Sequence, residues 1–218
     1  MHVPYPGLPK RESIRPEPPP DRQARVIPTF IEHFRDDSGR SDPYDRLYQA
    51  RIIFLATPLD DATANDVIAR LFDLDAHERG PEITLQINSA GGSFPSVLAV
   101  HDAIQHVAAP VRTVCLGQAD GPAAVLLALG APGRRFVLPT AHVMLREPTI
   151  EPPGPERPDI EAELERANWL RRTIEDLMAE RIGRPGEEIR RDLARPKLLT
   201  AQQAIDYGIA DAVLPARH

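Results

Sequence analysis

A chain of 218 residues with 42% hydrophobic content has the length and apolar content of one domain with a sizeable core. Its net charge of −6, with 26 basic residues dispersed among 32 acidic ones, gives no electrostatic case for nucleic acid. The single Cys115 excludes an internal disulfide, no run approaches the ~18–20 apolar residues of a membrane span, and no apolar stretch marks a secretory signal, so cytoplasm is the expected location.

Residues 1–24 carry seven prolines in the first 20 positions and almost no apolar periodicity, which predicts a disordered or extended tail ahead of a domain over 25–218. Residues 26–31 read as a short extended piece and 35–43 as a polar, turn-rich loop. A buried strand is expected over 51–56. Helical spacing of Ala64, Val67, Ile68, Leu71 and Leu74 predicts a helix over 60–77, with Asp60 or Asp61 as its N-cap. A strand over 82–88, a helix over 94–106, a strand over 111–116 and a helix over 122–129 follow. Short strands are expected at 134–138 and 141–145. Strands alternating with helices predict an α/β fold with a mostly parallel sheet and right-handed crossovers.

The texture then changes. Residues 148–158 contain five prolines in eleven positions. Residues 159–182 read as one long amphipathic helix with Ile160, Leu164, Ala167, Ile174 and Leu177 or Met178 on one side. A helix this long projects beyond a small sheet. Two short helices, over 185–193 and 200–207, and a last strand over 212–214 complete the chain.

Several stretches point to one family. INSAGGS at 87–93 resembles the INSPGGS loop of the Clp protease proteolytic subunit (ClpP) family. IIFL at 52–55 with PLDD at 58–61 resembles that family's first strand and helix start. AQQAIDYG at 201–208, followed by Ile209, Ala210 and Asp211, is similar to its C-terminal motif, and RVIPTFIE at 25–32 to its N-terminal segment. The resemblance covers roughly 25–214. It implies the ClpP/crotonase spiral of βαβ units and an assembly of two stacked heptameric rings around a chamber. Residues 147–182 become the handle region, whose helix interlocks the rings. It implies no cofactor and no metal.

The same resemblance implies a dismantled serine-peptidase site. The family serine follows GQAA; the matching position in GQADGP at 117–122 is Gly121, which has no nucleophile. The family histidine matches Arg146, and an arginine stays protonated, so it accepts no proton from a serine. The family aspartate matches Pro196, with Asp192 as the alternative if the alignment carries one gap. Of the two oxyanion-hole donors, one matches Gly92 and the other Pro122, which has no N–H. Loss of one such donor costs about 10²–10³ in rate, and loss of a triad about 10⁶. Pro122 does suit the first position of a helix, and Asp120 suits the neighbourhood of its N-terminus. Arg146 is expected to turn toward Asp120 and fill the vacant site with an ion pair.

Other groups offer poor replacements. Along one strand His142 lies roughly 13 Å from Arg146 at ~3.3 Å per residue. Cys115 reads as core packing. Ser89 and Ser93 read as backbone-bonding residues of a glycine turn, and neither Lys10 nor Lys197 sits in a setting for a serine–lysine dyad. In the family, the outer face that receives ATPase loops carries tyrosines where Thr84 and Gln86 stand here, which predicts weaker docking of an AAA+ unfoldase. Prolines over 149–158 replace family glycines in a substrate-pairing strand, which predicts weak substrate docking and altered ring contact. The expected function is an inert subunit that assembles with active ClpP paralogues. The alternatives are a stand-alone ring-forming scaffold or binding protein, a peptidase with non-standard residues, and an acyl-CoA enzyme of the crotonase fold.

Overall fold

The computed structural model describes residues 43–147 and 160–215. The tail over 1–24, the segment over 25–32 and the proline-rich stretch over 148–158 lie outside the described residues.

The described chain runs α1 (Pro43–Gln49), β1 (Ile52–Leu55), α2 (Asp61–His77), β2 (Ile83–Ser89), α3 (Phe94–His106), β3 (Val111–Asp120), α4 (Pro122–Ala128), β4 (Arg135–Val137), β5 (His142–Leu145), α5 (Ile160–Ile182), α6 (Gly186–Leu193), β6 (Lys197–Thr200), α7 (Ala201–Tyr207) and β7 (Ala212–Val213). This is the α/β architecture expected, with a mainly parallel sheet. The strand order is β1-β2-β3-β4-β7, and β5 pairs with both β3 and β6. Among the described strands only the β5–β6 pairing is antiparallel.

β2 shows why the sheet forms. Ile83, Leu85, Ile87 and Ser89 alternate onto a buried face, and Thr84 and Gln86 take the half-buried one. β3 is longer than the 111–116 expected. It continues through Gly117 to Asp120 because it changes partner: residues 113–115 pair with β4, and 118–120 pair with β5. The strand therefore delivers its last residues to the point where α4 begins. Every residue of α4 is buried, so this short helix is surrounded by core on all sides.

Two elements differ from expectation. Residues 43–49, partly assigned to a loop, form α1, which buries none of its residues and so has no apolar period to read. β6 was not expected, because its pairing with β5 defines it while its own pattern leaves Leu198 exposed. The long helix is present as α5, but its stripe is split. Leu170, Ile174 and Met178 are buried, while Leu164 is 53% and Trp169 59% exposed. Arg190 Nε donates to the buried Glu175 carboxylate at 2.9 Å and ties α6 to this helix.

Helix ends follow local chemistry. Asp60, not Asp61, caps α2 by accepting from the Thr63 N–H at 2.7 Å. Thr200 and Gln203 form a reciprocal capping box on α7. Burial alone would raise the Asp211 carboxyl, yet hydrogen bonds from the Arg135 side chain and backbone outweigh it and hold the group below its ordinary value.

Candidate functional site

Three loops meet at the end of β3. The turn of Asp120, Gly121 and Pro122 is set by the β5 register, in which Asp120 stands beside Met144 and the Gly121 N–H donates to the Met144 carbonyl at 2.8 Å. Gly121 has φ 49° and ψ −109°, a conformation few side chains adopt, and Pro122 opens α4 directly after it. The placement expected of Pro122, at the first position of a helix, is the one found.

The second loop is Ala90 to Ser93. Gly91 and Gly92 have φ of 116° and 123°, and a β-carbon on Gly92 would strike the Leu59 backbone. The loop is fixed there by the Leu59 N–H donating to Gly91 O at 2.7 Å and the Ser93 N–H to Leu59 O at 2.6 Å. Ser89 is buried and its hydroxyl exchanges 3.3 Å hydrogen bonds with Gly91 backbone. Ser93 caps α3 by accepting from the Ser96 N–H at 3.4 Å. Both serines therefore have the backbone-bonding roles expected.

Arg146 follows β5 and enters the space between these loops. Its Nη2 donates to Ala90 O at 3.1 Å. A β-carbon on Gly121 would lie 2.7 Å from Arg146 Nε and 3.1 Å from its Cγ, and one on Gly91 would collide with Nη2. The arginine side chain thus occupies the room that a nucleophilic side chain at residue 121 would need. Across β5 the antiparallel ladder ends at Leu145 with Lys197, and Arg146 and Pro196 are the first residues beyond that last pair. Asp192 instead sits at the end of α6 and accepts from Lys197 Nζ at 2.8 Å. Burial would raise its carboxyl, but hydrogen bonds from Lys197 and Tyr207, with the Lys197 and Arg191 charges, together outweigh that and lower it.

The expected ion pair of Arg146 with Asp120 is not formed. Asp120 faces His142, whose Nε2 lies 3.8 Å from Asp120 Oδ1. The expectation failed because opposite charge says nothing about direction: the Ala90 carbonyl draws the guanidinium to the glycine loop. Distance along its own strand separates His142 from Arg146 but says nothing of its neighbours across the sheet. The parallel β3–β5 register, which pairs Gln118 with His142, brings it beside Asp120, and no sequence signal marks that register. Asp120 Oδ1 is buried without a hydrogen bond.

Cys115 is buried on β3, and its thiol is within 3.7 Å of the His142 carbonyl. Burial, with a smaller contribution from the Asp120 charge, pushes this thiol up to about 12, so no thiolate forms near neutrality. Among the described residues no group of three His, Cys, Asp or Glu side chains is placed to hold a metal. No helix among them is long and apolar enough to cross a membrane.

Thr84 and Gln86 lie on the opposite side of β2 from its buried residues. Their β1 neighbours in register are Ile52 and Phe54, and the Phe54 ring meets Tyr44 edge-on at 6.3 Å between centroids. Among the described residues the aromatic rings of this face therefore come from β1, α1 and, through the Gln86–Val114–Phe136 register, β4, not from β2.

The model of the family described as Clp protease matches residues 35–217. The ATP-dependent Clp protease proteolytic subunit 1 of Corynebacterium glutamicum is 44% identical over 192 residues, covering 88% of this chain and 92% of the relative. A protein of the same name from Rhodococcus jostii is 43% identical over 206 residues, covering 94% of both chains. The proteolytic subunit 2 of Mycobacterium tuberculosis is 43% identical over 197 residues, with 89% and 92% covered. The family match across the sheet, the glycine loop and the β3–α4 turn shows that this chain belongs to the Clp protease family.

Proposed function

We propose that this chain is a proteolytically inactive subunit of an ATP-dependent Clp protease complex, contributing shape and contacts to a hetero-oligomeric ring that also contains active serine-peptidase paralogues. The observation that carries the reading is the Arg146 side chain filling the space beside Gly121, where a β-carbon would come within 2.7 Å of Nε. Pro122, with no N–H to offer an oxyanion, and Pro196, a residue that cannot orient a base, support it further. In this reading Gly121, Arg146 and Pro196 replace nucleophile, base and orienting acid, and Gly92 is the one oxyanion donor retained. The relatives carry the names proteolytic subunit 1, 2 and 3, a numbering that fits rings built from paralogous chains.

The domain of 25–218 builds the ring wall, with the tail of 1–24 outside it and the handle region of 147–182 reaching the second ring. Leu164 and Trp169, exposed in the single chain, meet that partner ring in a tetradecamer. An AAA+ unfoldase binds the mixed complex chiefly through the paralogue, because Thr84 and Gln86 supply no aromatic ring. The complex works in the cytoplasm.

Co-expression with an active paralogue from the same genome, followed by native mass spectrometry and fluorophosphonate labelling, tests this. The expected result is a mixed ring in which only the paralogue is labelled. Labelling of this chain would overturn its inactivity. Homomeric rings alone would favour a stand-alone scaffold.

A further inference from the structure

Among the described residues Arg146 is a cation without an anion. No carboxylate among the described residues lies within ion-pair distance of it: Asp120 faces His142, and Glu147 faces Arg171 at 4.0 Å. Of its five N–H donors, one bond is made among the described residues, to the Ala90 carbonyl. None of its nitrogens is sealed from solvent without a partner. The guanidinium therefore stands part-exposed beside the glycine loop with donors to spare. Gly92, the next residue after the Gly91 that it touches, is exposed, and its N–H meets no acceptor among the described residues.

We propose that this site is a receptor for the free carboxylate at the C-terminus of a peptide, held by the Arg146 guanidinium with the Gly92 N–H as a second donor. A planar guanidinium matches the two oxygens of a carboxylate in a way that the neutral carbonyl of an uncleaved peptide bond does not satisfy. Each bond cut by a neighbouring active subunit creates one new C-terminal carboxylate. The site thus takes the product of the ring's reaction and passes over its substrate. This assignment rests on the proposal that the chain shares a ring with active paralogues.

The test uses the mixed ring with the paralogue's serines first blocked by fluorophosphonate. A short fluorescent peptide is titrated in two forms, with a free C-terminal carboxylate and with a C-terminal amide, and binding is read by anisotropy. The acid is expected to bind about tenfold tighter than the amide. Arg146→Gln is expected to abolish the difference, and Arg146→Lys to retain part of it. Native mass spectrometry of each variant ring checks that assembly is kept. Equal binding of acid and amide, or a preference that survives Arg146→Gln, overturns the proposal. Neither outcome touches the inactivity of the chain, which is read separately from the labelling pattern.

Discussion

The side chain of Arg146 and the α-carbon of Gly121 are packed so closely that a β-carbon on residue 121 would sit 3.1 Å from Arg146 Cγ as well as 2.7 Å from Nε. Gly121→Ser alone is expected to yield no peptidase activity. It should also lower stability by ~1–3 kcal/mol, from the crowding and from the positive φ. Adding Arg146→Ala should recover part of that loss, a non-additivity expected of touching residues. Urea unfolding of the two variants, with a fluorogenic peptide assay, measures both. Activity from Gly121→Ser alone would mean that the nucleophile position is misassigned. The smallest set expected to restore turnover is Gly121→Ser, Pro122→Met, Arg146→His and Pro196→Asp.

Arg135 collects the ends of three helices. Its Nη1 donates to the carbonyls of Gly208 at 2.8 Å, Arg181 at 3.3 Å and Ala128 at 3.5 Å, while Nε and Nη2 hold Asp211 at 3.1 and 2.6 Å. Arg135→Met is expected to cost ~3–5 kcal/mol, because it leaves a part-buried carboxylate without its cation. The folded Asp211 carboxyl is held below its ordinary 3.8. Its stabilisation is present above that value and is lost as pH falls through the lower folded-state value. Acid unfolding followed by circular dichroism should show a shallower drop below about pH 4 for Asp211→Asn than for the parent, from a lower starting stability.

The two halves of α5 should respond differently to truncation. Met178 is fully buried, so Met178→Ala is expected to cost ~2–5 kcal/mol of chain stability. Trp169→Ser removes an exposed ring and should change unfolding by about 0.5 kcal/mol or less. Size-exclusion chromatography of the same variant should show smaller assemblies. An unchanged assembly would remove Trp169 from the contact between rings.

Cys115 should be silent toward thiol reagents in the native chain. It is buried and its thiol is pushed up to about 12. Ellman's reagent at pH 8 is expected to titrate the thiol only after denaturation. Rapid native reaction would show that β3 opens at Gly117.

Much of the fold was legible because periodicity and caps coincide. The helices of 61–77 and 94–106 combine a regular apolar stripe with Asp60 and Ser93 as capping side chains. α1 and β6 escaped notice because neither buries a face of its own: one is half-exposed throughout, and the other exists through its pairing with β5. At the site, the positions of Gly121, Pro122 and Arg146 were visible in short motifs. The direction of Arg146 was not, since it depends on a carbonyl 56 residues away in the chain. The pairing of His142 with Asp120 was equally hidden, because it arises from strand register.

The burial of α5 from Leu170 onward makes the helix a lever. The ten residues from Ile160 to Trp169 extend ~15 Å beyond the first buried contact at 1.5 Å per residue. The far end is fastened where Arg135 grips the Arg181 carbonyl together with the ends of two other helices. A tilt of ~10° at that clamp, roughly 30 Å from the tip, would carry the tip by about 5.5 Å, one helical turn at the place where a second ring would engage. Substitutions around Arg135, remote from any neighbouring subunit's chemistry, would therefore be felt first as a change in how two rings fit together.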